Sequence, residues 1–192
     1  MLPIWHPVRL VEDINVTDIL CDGRLNVGFG RGYQPTEFEA FGTQLSESQA
    51  RFDEALRLMM TAWTEEDFTF EGEFWNVPTP LTILPKPVQA PHPPLFIAAS
   101  SPTTYVRAAN EDFGVLSSGA GLTLDGVRDA YTNYANTLDE LGKSREDHEF
   151  HSLRFVHVAE TDGAAAQHAE TSRWNGRVAA ALQRGCDSIT NG

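Results

Sequence analysis

The stretch Leu95-Phe96-Ile97-Ala98-Ala99, followed at once by Ser100-Ser101-Pro102-Thr103, decides the fold class. Five apolar residues in a row read as a strand buried on both faces, as strands of a parallel sheet are. The next four open a helix. A serine hydroxyl can cap it, and proline suits the first turn, where a missing N–H costs nothing. Upstream, Pro85, Pro87, Pro91, Pro93 and Pro94 forbid helix and set up an extended approach.

Outward from this strand–helix step the same alternation recurs. Residues 7–22 read as a helix with Leu10, Val11, Ile14, Ile19 and Leu20 as its apolar set, ended by an Asp22-Gly23 turn. Residues 24–30 alternate with period two and predict a strand, which leaves through the glycine-punctuated loop 31–35. Phe52, Ala55, Leu56, Met59, Met60 and Trp63 line one face of a helix over 47–64. Ser46 and Gln49 have capping-box spacing at its start. Phe68-Thr69-Phe70 and Phe74-Trp75-Asn76-Val77 predict a hairpin, so residues 68–94 read as a hairpin and Pro-rich insertion. A strand over 114–117, a helix over 125–141, a strand over 153–159 and an alanine-rich helix over 164–184 follow. Strands alternating with helices give an α/β class with a parallel sheet.

Four strands are readable, whereas a complete (β/α)8 barrel takes eight strands and roughly 250 residues. The chain has 192 residues. The expectation is therefore one incomplete barrel domain over 1–192, a truncated form. Its open edges, near 24–30 and 153–159, would leave Val27, Ile97, Leu116 and Val156 without the opposing half of a core. Homo-oligomerisation or association through those edges is expected.

Composition narrows the function. Apolar residues make up 41% and charged residues 21%, an ordinary globular balance. No apolar run approaches a membrane span, and the N-terminus lacks a signal-peptide pattern, so a cytoplasmic protein without a membrane partner is expected. Fourteen Lys and Arg against 27 Asp and Glu leave a net charge of −13, which repels phosphate backbones and argues against nucleic acid. Cys21 and Cys186 form no CxxC pair, as suits a reducing compartment.

Ligands of βα folds sit at the carboxyl ends of strands. There the sequence offers Arg31 with the backbone N–H groups of Gly32 and Tyr33, and Ser100, Ser101, Thr103 and Thr104 at a helix start. An arginine, hydroxyls and a helix N-terminus make a phosphate cup in kind. The plainer reading, an N-cap and a surface ion pair, stands beside it. His148 and His151 have HxxH spacing but fall in a charged loop, so no metal site is expected. Glu37 and Glu39 are too local for a glycosidase pair. Tyr131, Tyr134, Trp63 and Trp75 read as packing.

An ordered series carries a resemblance: His6-Pro7-Val8-Arg9, Gly23-Arg24, Gly28-Phe29-Gly30-Arg31-Gly32-Tyr33, Glu37-Phe38, Phe41-Gly42, Arg51-Phe52, Ala99-Ser100-Ser101-Pro102-Thr103-Thr104 and Val158-Ala159-Glu160-Thr161. It resembles the bacterial luciferase-like family of flavin-dependent monooxygenases. Residues 2–42 are similar to the luciferase alpha chain, an alkanal monooxygenase. The resemblance implies a (β/α)8 barrel of which this chain holds about strands four to seven. It implies a reaction in which reduced FMN and O2 oxygenate a small organic substrate, with a separate flavin reductase as partner. It places Arg31, Gly32, Tyr33, Ser100 and Thr103 on the flavin phosphate, and His6 at the catalytic rim. Gln49 stands where the family has a second phosphate-binding arginine, so there it reads either as a neutral phosphate donor or as the capping-box partner of Ser46. His6 likewise reads either as a rim residue or as the opening of a helix. Gly30 replaces a cysteine of the luciferase alpha chain, which argues against light emission. A coenzyme F420-dependent reductase or dehydrogenase of the same fold, and a non-catalytic half-barrel, are the alternatives.

Overall fold

The computed structural model describes residues 1–117 and 123–183; Cys186 lies outside them. In chain order the elements are α1 (Pro7–Leu20), β1 (Val27–Phe29), α2 (Pro35–Ala40), α3 (Ser48–Thr64), β2 (Phe68–Glu71), β3 (Asn76–Leu81), β4 (Leu95–Ala99), α4 (Pro102–Asn110), β5 (Gly114–Ser117), α5 (Leu124–Glu140), β6 (Phe150–Ser152) and α6 (Asp162–Gln183). They fall into two compact units. One comprises residues 1–31 and 48–154, the other residues 32–47 and 155–192. The second unit contributes α2 and α6 among the described residues.

The first unit is built on a four-stranded sheet in the order β1-β4-β5-β6. All three pairings are parallel. This is half of the eight-stranded sheet of a (β/α)8 barrel. A separate antiparallel pair, β2 and β3, forms the expected hairpin. The register fixes which side chains share a face. Val27, Phe29, Leu95, Ile97, Ala99, Val115 and Phe150 belong to the core that the strands form with α1, α3, α4 and α5. Gly28, Phe96, Ala98, Gly114, Leu116 and His151 occupy the opposite face. That face is crowded where bulk meets glycine. Phe96 lies over Gly114, and a Cβ on Gly28 would stand 2.6 Å from Leu116 Cδ1.

This register corrects two expectations. Val27 and Ile97 point to the helices, not to the open face; only Leu116 of the expected set lies there. The last strand is Phe150–Ser152, not 153–159. A strand exists where it has a partner, and β6 pairs with Val115–Ser117 of β5. Leu153 N–H still donates to Ser117 O at 3.0 Å, after which residues 154–159 lie outside any strand.

The helices follow their stripes with similar refinements. In α1 the buried residues Val11, Ile14, Asn15 and Asp18 form one stripe, and Ile19 and Leu20 lie off it, exposed. In α5 Tyr134 is buried and donates to Phe113 O at 2.7 Å, with burial and the nearby Asp112 carboxylate pushing its phenol up to about 12. Tyr131 is instead 44% exposed and meets the Phe150 ring edge-on. No helix among the described residues is long and apolar enough to cross a membrane.

Candidate phosphate site at the ends of two neighbouring strands

β1 and β4 are adjacent and parallel, in the register Val27↔Leu95, Gly28↔Phe96 and Phe29↔Ile97. The residues that leave their carboxyl ends therefore emerge side by side: Gly30-Arg31 from one, Ser100-Ser101 from the other. At this junction the Gly30 carbonyl accepts the Leu2 N–H at 2.9 Å, and a Cβ on Gly30 would make only ordinary contact with Ala98 Cβ, at 3.8 Å. Arg31 is exposed, and its Nη1 donates to Ser48 Oγ at 3.4 Å. Ser48 is buried and begins α3, so the guanidinium lies against the first residue of that helix.

The second wall is the start of α4. Ser101 is the N-cap, its Oγ accepting the Thr104 N–H at 3.4 Å. Its hydroxyl also lies 3.0 Å from Thr103 Oγ1 and 2.9 Å from Thr104 Oγ1. Ser101 thereby takes the capping role that the sequence left open, and Ser100 and Thr103 remain exposed at the helix mouth.

Gln49 does not form the capping box expected with Ser46. Its Nε2 donates to both carboxylate oxygens of Asp53, at 3.0 and 3.1 Å. α3 begins at Ser48, too late for a capping box from Ser46, whose Oγ bonds Gln44 Oε1 at 3.4 Å. Asp53 also accepts Arg107 Nη1 at 2.6 Å, and Arg107 Nε reaches Glu111 at 2.9 Å. Burial alone would lower the Arg107 pKa, but the hydrogen bonds and charges of Asp53 and Glu111 outweigh it and raise it. Asp53 and Arg107 were not singled out in the sequence. The available signal was spacing: Asp53 is four residues beyond Gln49, and Glu111 four beyond Arg107.

The other expected residues are placed as follows. His6 is exposed and is the N-cap residue of α1, without a side-chain capping bond, followed by Pro7 in the first turn. Gly32 and Tyr33 belong to the second unit; Gly32 has φ +84° and Tyr33 is exposed. His148 bonds Asp112 and the Ser144 carbonyl, while His151 bonds Glu149. Neither joins a group of metal-ligating side chains among the described residues. An open cleft of about 340 Å³ lies at the carboxyl ends of β5 and β6, lined by Leu116, Ser117, His151, Ser152 and Leu153. Ser117 Oγ lies 3.3 Å from Tyr105 OH, and Ser152 Oγ is buried without a partner.

The family model of luciferase-like monooxygenases matches residues 1–186. The chain belongs to that family. The oxygenase component of the flavin-dependent trigonelline monooxygenase of Acinetobacter baylyi is 30% identical over 83% of this chain and 44% of its own length. The crystal structure of the monooxygenase RslO1 from Streptomyces bottropensis superimposes with a TM-score of 0.83 at 30% identity, over 96% of this chain and 56% of that one. The oxygenating constituent of 3,6-diketocamphane monooxygenase from Pseudomonas putida, solved with FMN, shares the fold at a TM-score of 0.72 and 22% identity, over 100% of this chain and 60% of that one. The chain spans about half the length of the curated relatives it matches. In this luciferase-like chain the donors suit a phosphate: one exposed guanidinium, exposed hydroxyls and a helix start, at the strand ends where βα folds bind ligands.

Proposed function

We propose that this chain supplies the flavin-phosphate side of an FMN-dependent monooxygenase. The observation that carries this is the emergence of Arg31 and the Ser100–Thr103 helix start from the carboxyl ends of the adjacent parallel strands β1 and β4. Arg31 meets the phosphate charge. Ser100 and Thr103 donate hydroxyls, and the first N–H groups of α4 add their partial positive charge. Ser48 holds the guanidinium on its inner side. His6 stands at the rim. The cleft at β5 and β6, with apolar walls and hydroxyls, takes the small organic substrate. Reduced FMN, when bound, supplies the chemistry by which O2 oxygenates that substrate, and a separate flavin reductase provides it.

The test is a fluorescence titration with FMN. Arg31→Ala should weaken binding more than tenfold, since a charge-assisted contact contributes about 1.5–3 kcal/mol. Unchanged affinity removes Arg31 from the site. The absorption spectrum of copurified cofactor separates FMN from a deazaflavin, and a deazaflavin spectrum would replace this reading with the F420-dependent one.

A further inference from the structure

We propose that Asp53 is a positioning residue that sets the separation of the two walls of the phosphate site, an inference that rests on the flavin-phosphate reading above. One wall is the start of α3, where Ser48 receives Arg31. The other is the start of α4, with its ring of hydroxyls. Asp53 lies one turn inside α3, four residues beyond Gln49, and Arg107 lies one turn inside α4, four residues beyond Thr103. The Asp53 carboxylate joins them. Its Oδ1 accepts Arg107 Nη1 at 2.6 Å, and its two oxygens accept Gln49 Nε2 at 3.0 and 3.1 Å.

Three features distinguish this pair from an ordinary surface ion pair. The side chains of Arg107 and Asp53 are only 26% and 37% exposed. The guanidinium lies over the Phe52 ring, 5.3 Å from its centroid, which limits its lateral freedom. Its Nε edge donates to Glu111 Oε1 at 2.9 Å, so the fork cannot swing without breaking a second bond. The carboxylate also occupies the Gln49 amide nitrogen, leaving Arg31 as the cationic side chain of the cup. A site with one such charge depends strongly on where its walls stand, because hydrogen bonds to phosphate weaken steeply with misalignment.

The experiment titrates the full chain with FMN and, separately, with riboflavin, which has the same ring system and no phosphate. Asp53→Asn should weaken FMN binding about five- to tenfold, the scale of a coupled pair of neighbours, and leave riboflavin binding unchanged. Arg107→Leu should do the same, the double variant should be no worse than either single one, and Asp53→Glu should restore FMN binding. Equal losses for FMN and riboflavin would mean a merely structural role and overturn the proposal, as would FMN affinity unchanged in both single variants. Should Asp53→Asn fail to fold, as judged by circular dichroism, Arg107→Leu and Asp53→Glu decide the matter by the same comparison. Wild-type chain that binds FMN no more tightly than riboflavin would instead remove the phosphate reading itself, before any variant is compared.

Discussion

Glu54 Oε1 accepts the backbone N–H of Trp75 at 2.8 Å, which ties α3 to the turn of the β2–β3 hairpin. The same carboxylate takes the N–H groups of Phe74 and Glu73, each at 2.9 Å. A buried anion thus satisfies three successive backbone donors that the hairpin ladder does not use. Glu54→Ala should lower unfolding free energy by about 2–4 kcal/mol, because donors in a part-buried turn lose their acceptor. Urea unfolding measures it, and a loss below about 0.5 kcal/mol would show that water replaces the carboxylate.

Gly72 belongs to the same device. A Cβ there would run into the Glu54 carboxylate and stand 2.8 Å from the Trp75 carbonyl oxygen, which is backbone and cannot swing aside. Gly72→Ala should therefore destabilise the chain through the Glu54 contact. Combined with Glu54→Ala, it should cost less than the two single changes summed, by at least about 0.5 kcal/mol. Strict additivity in that double-mutant cycle would separate the two residues.

Asp18 gives the fold a pH dependence. It is fully buried in α1, where its carboxylate accepts the Gln89 backbone N–H at 2.9 Å and Gln89 Nε2 at 2.8 Å. Burial would raise its pKa, but hydrogen bonding, from Gln89 foremost and from the Leu25 and Val88 backbone besides, outweighs burial and holds it below the ordinary carboxylate value. A lowered folded pKa means stabilisation fully present above the unfolded value of about 3.9 and lost as pH falls through the folded one. Unfolding midpoints should drop between about pH 5 and pH 3 in the wild type, and drop less in Asp18→Asn. Equal slopes in the two proteins would exclude Asp18 as a source.

What the sequence could reveal followed from periodicity and chain order. The apolar run of β4, the stripe of α3 and the Ser-Pro start of α4 each depend on neighbours within a few residues, and each stands where the pattern put it. The last strand did not, because Leu153 to Ala159 has strand-like composition while pairing is decided by the distant Val115–Ser117. The direction of Val27 and Ile97 was invisible for a related reason: in a continuous apolar strand both faces look alike. At the candidate site Arg31, Ser100 and Thr103 could be named from the loops that follow strands. The bond from Gln49 to Asp53, and the Arg107 that shares it from another helix, depend on how α3 and α4 meet, and no local pattern records that.

Gln49→Arg tests how far this network limits the anion site. A planar cation at the start of α3 should tighten FMN binding. Asp53, four residues on, competes for that cation, so the gain should stay near two- to threefold, the scale of a partly exposed pair. Fluorescence titration checks it. A gain well above tenfold would mean that Asp53 does not hold residue 49, and no gain would place residue 49 away from the phosphate.

The sheet of the first unit ends on β1 at one edge and β6 at the other, and each edge leaves one side of its backbone outside the ladder. Beyond β6, Leu153, Phe155, Val156 and Val158 are 61%, 69%, 76% and 85% exposed, in a segment that belongs to no strand. Exposed apolar side chains of strand-like composition beside an open sheet edge favour strand pairing, and a net charge of −13 opposes it only over the distance that salt leaves unscreened. The chain should therefore associate at low micromolar concentration, and more strongly as salt rises. Val156→Lys with Val158→Lys should reduce that association, since an edge lysine must be desolvated to pair, while leaving the unfolding midpoint unchanged because neither side chain is buried. Light scattering at two salt concentrations is the measurement. Association that persists undiminished in the double lysine variant would locate the contact elsewhere, and a monodisperse monomer in both salts would show that neither this segment nor the sheet edges are adhesive.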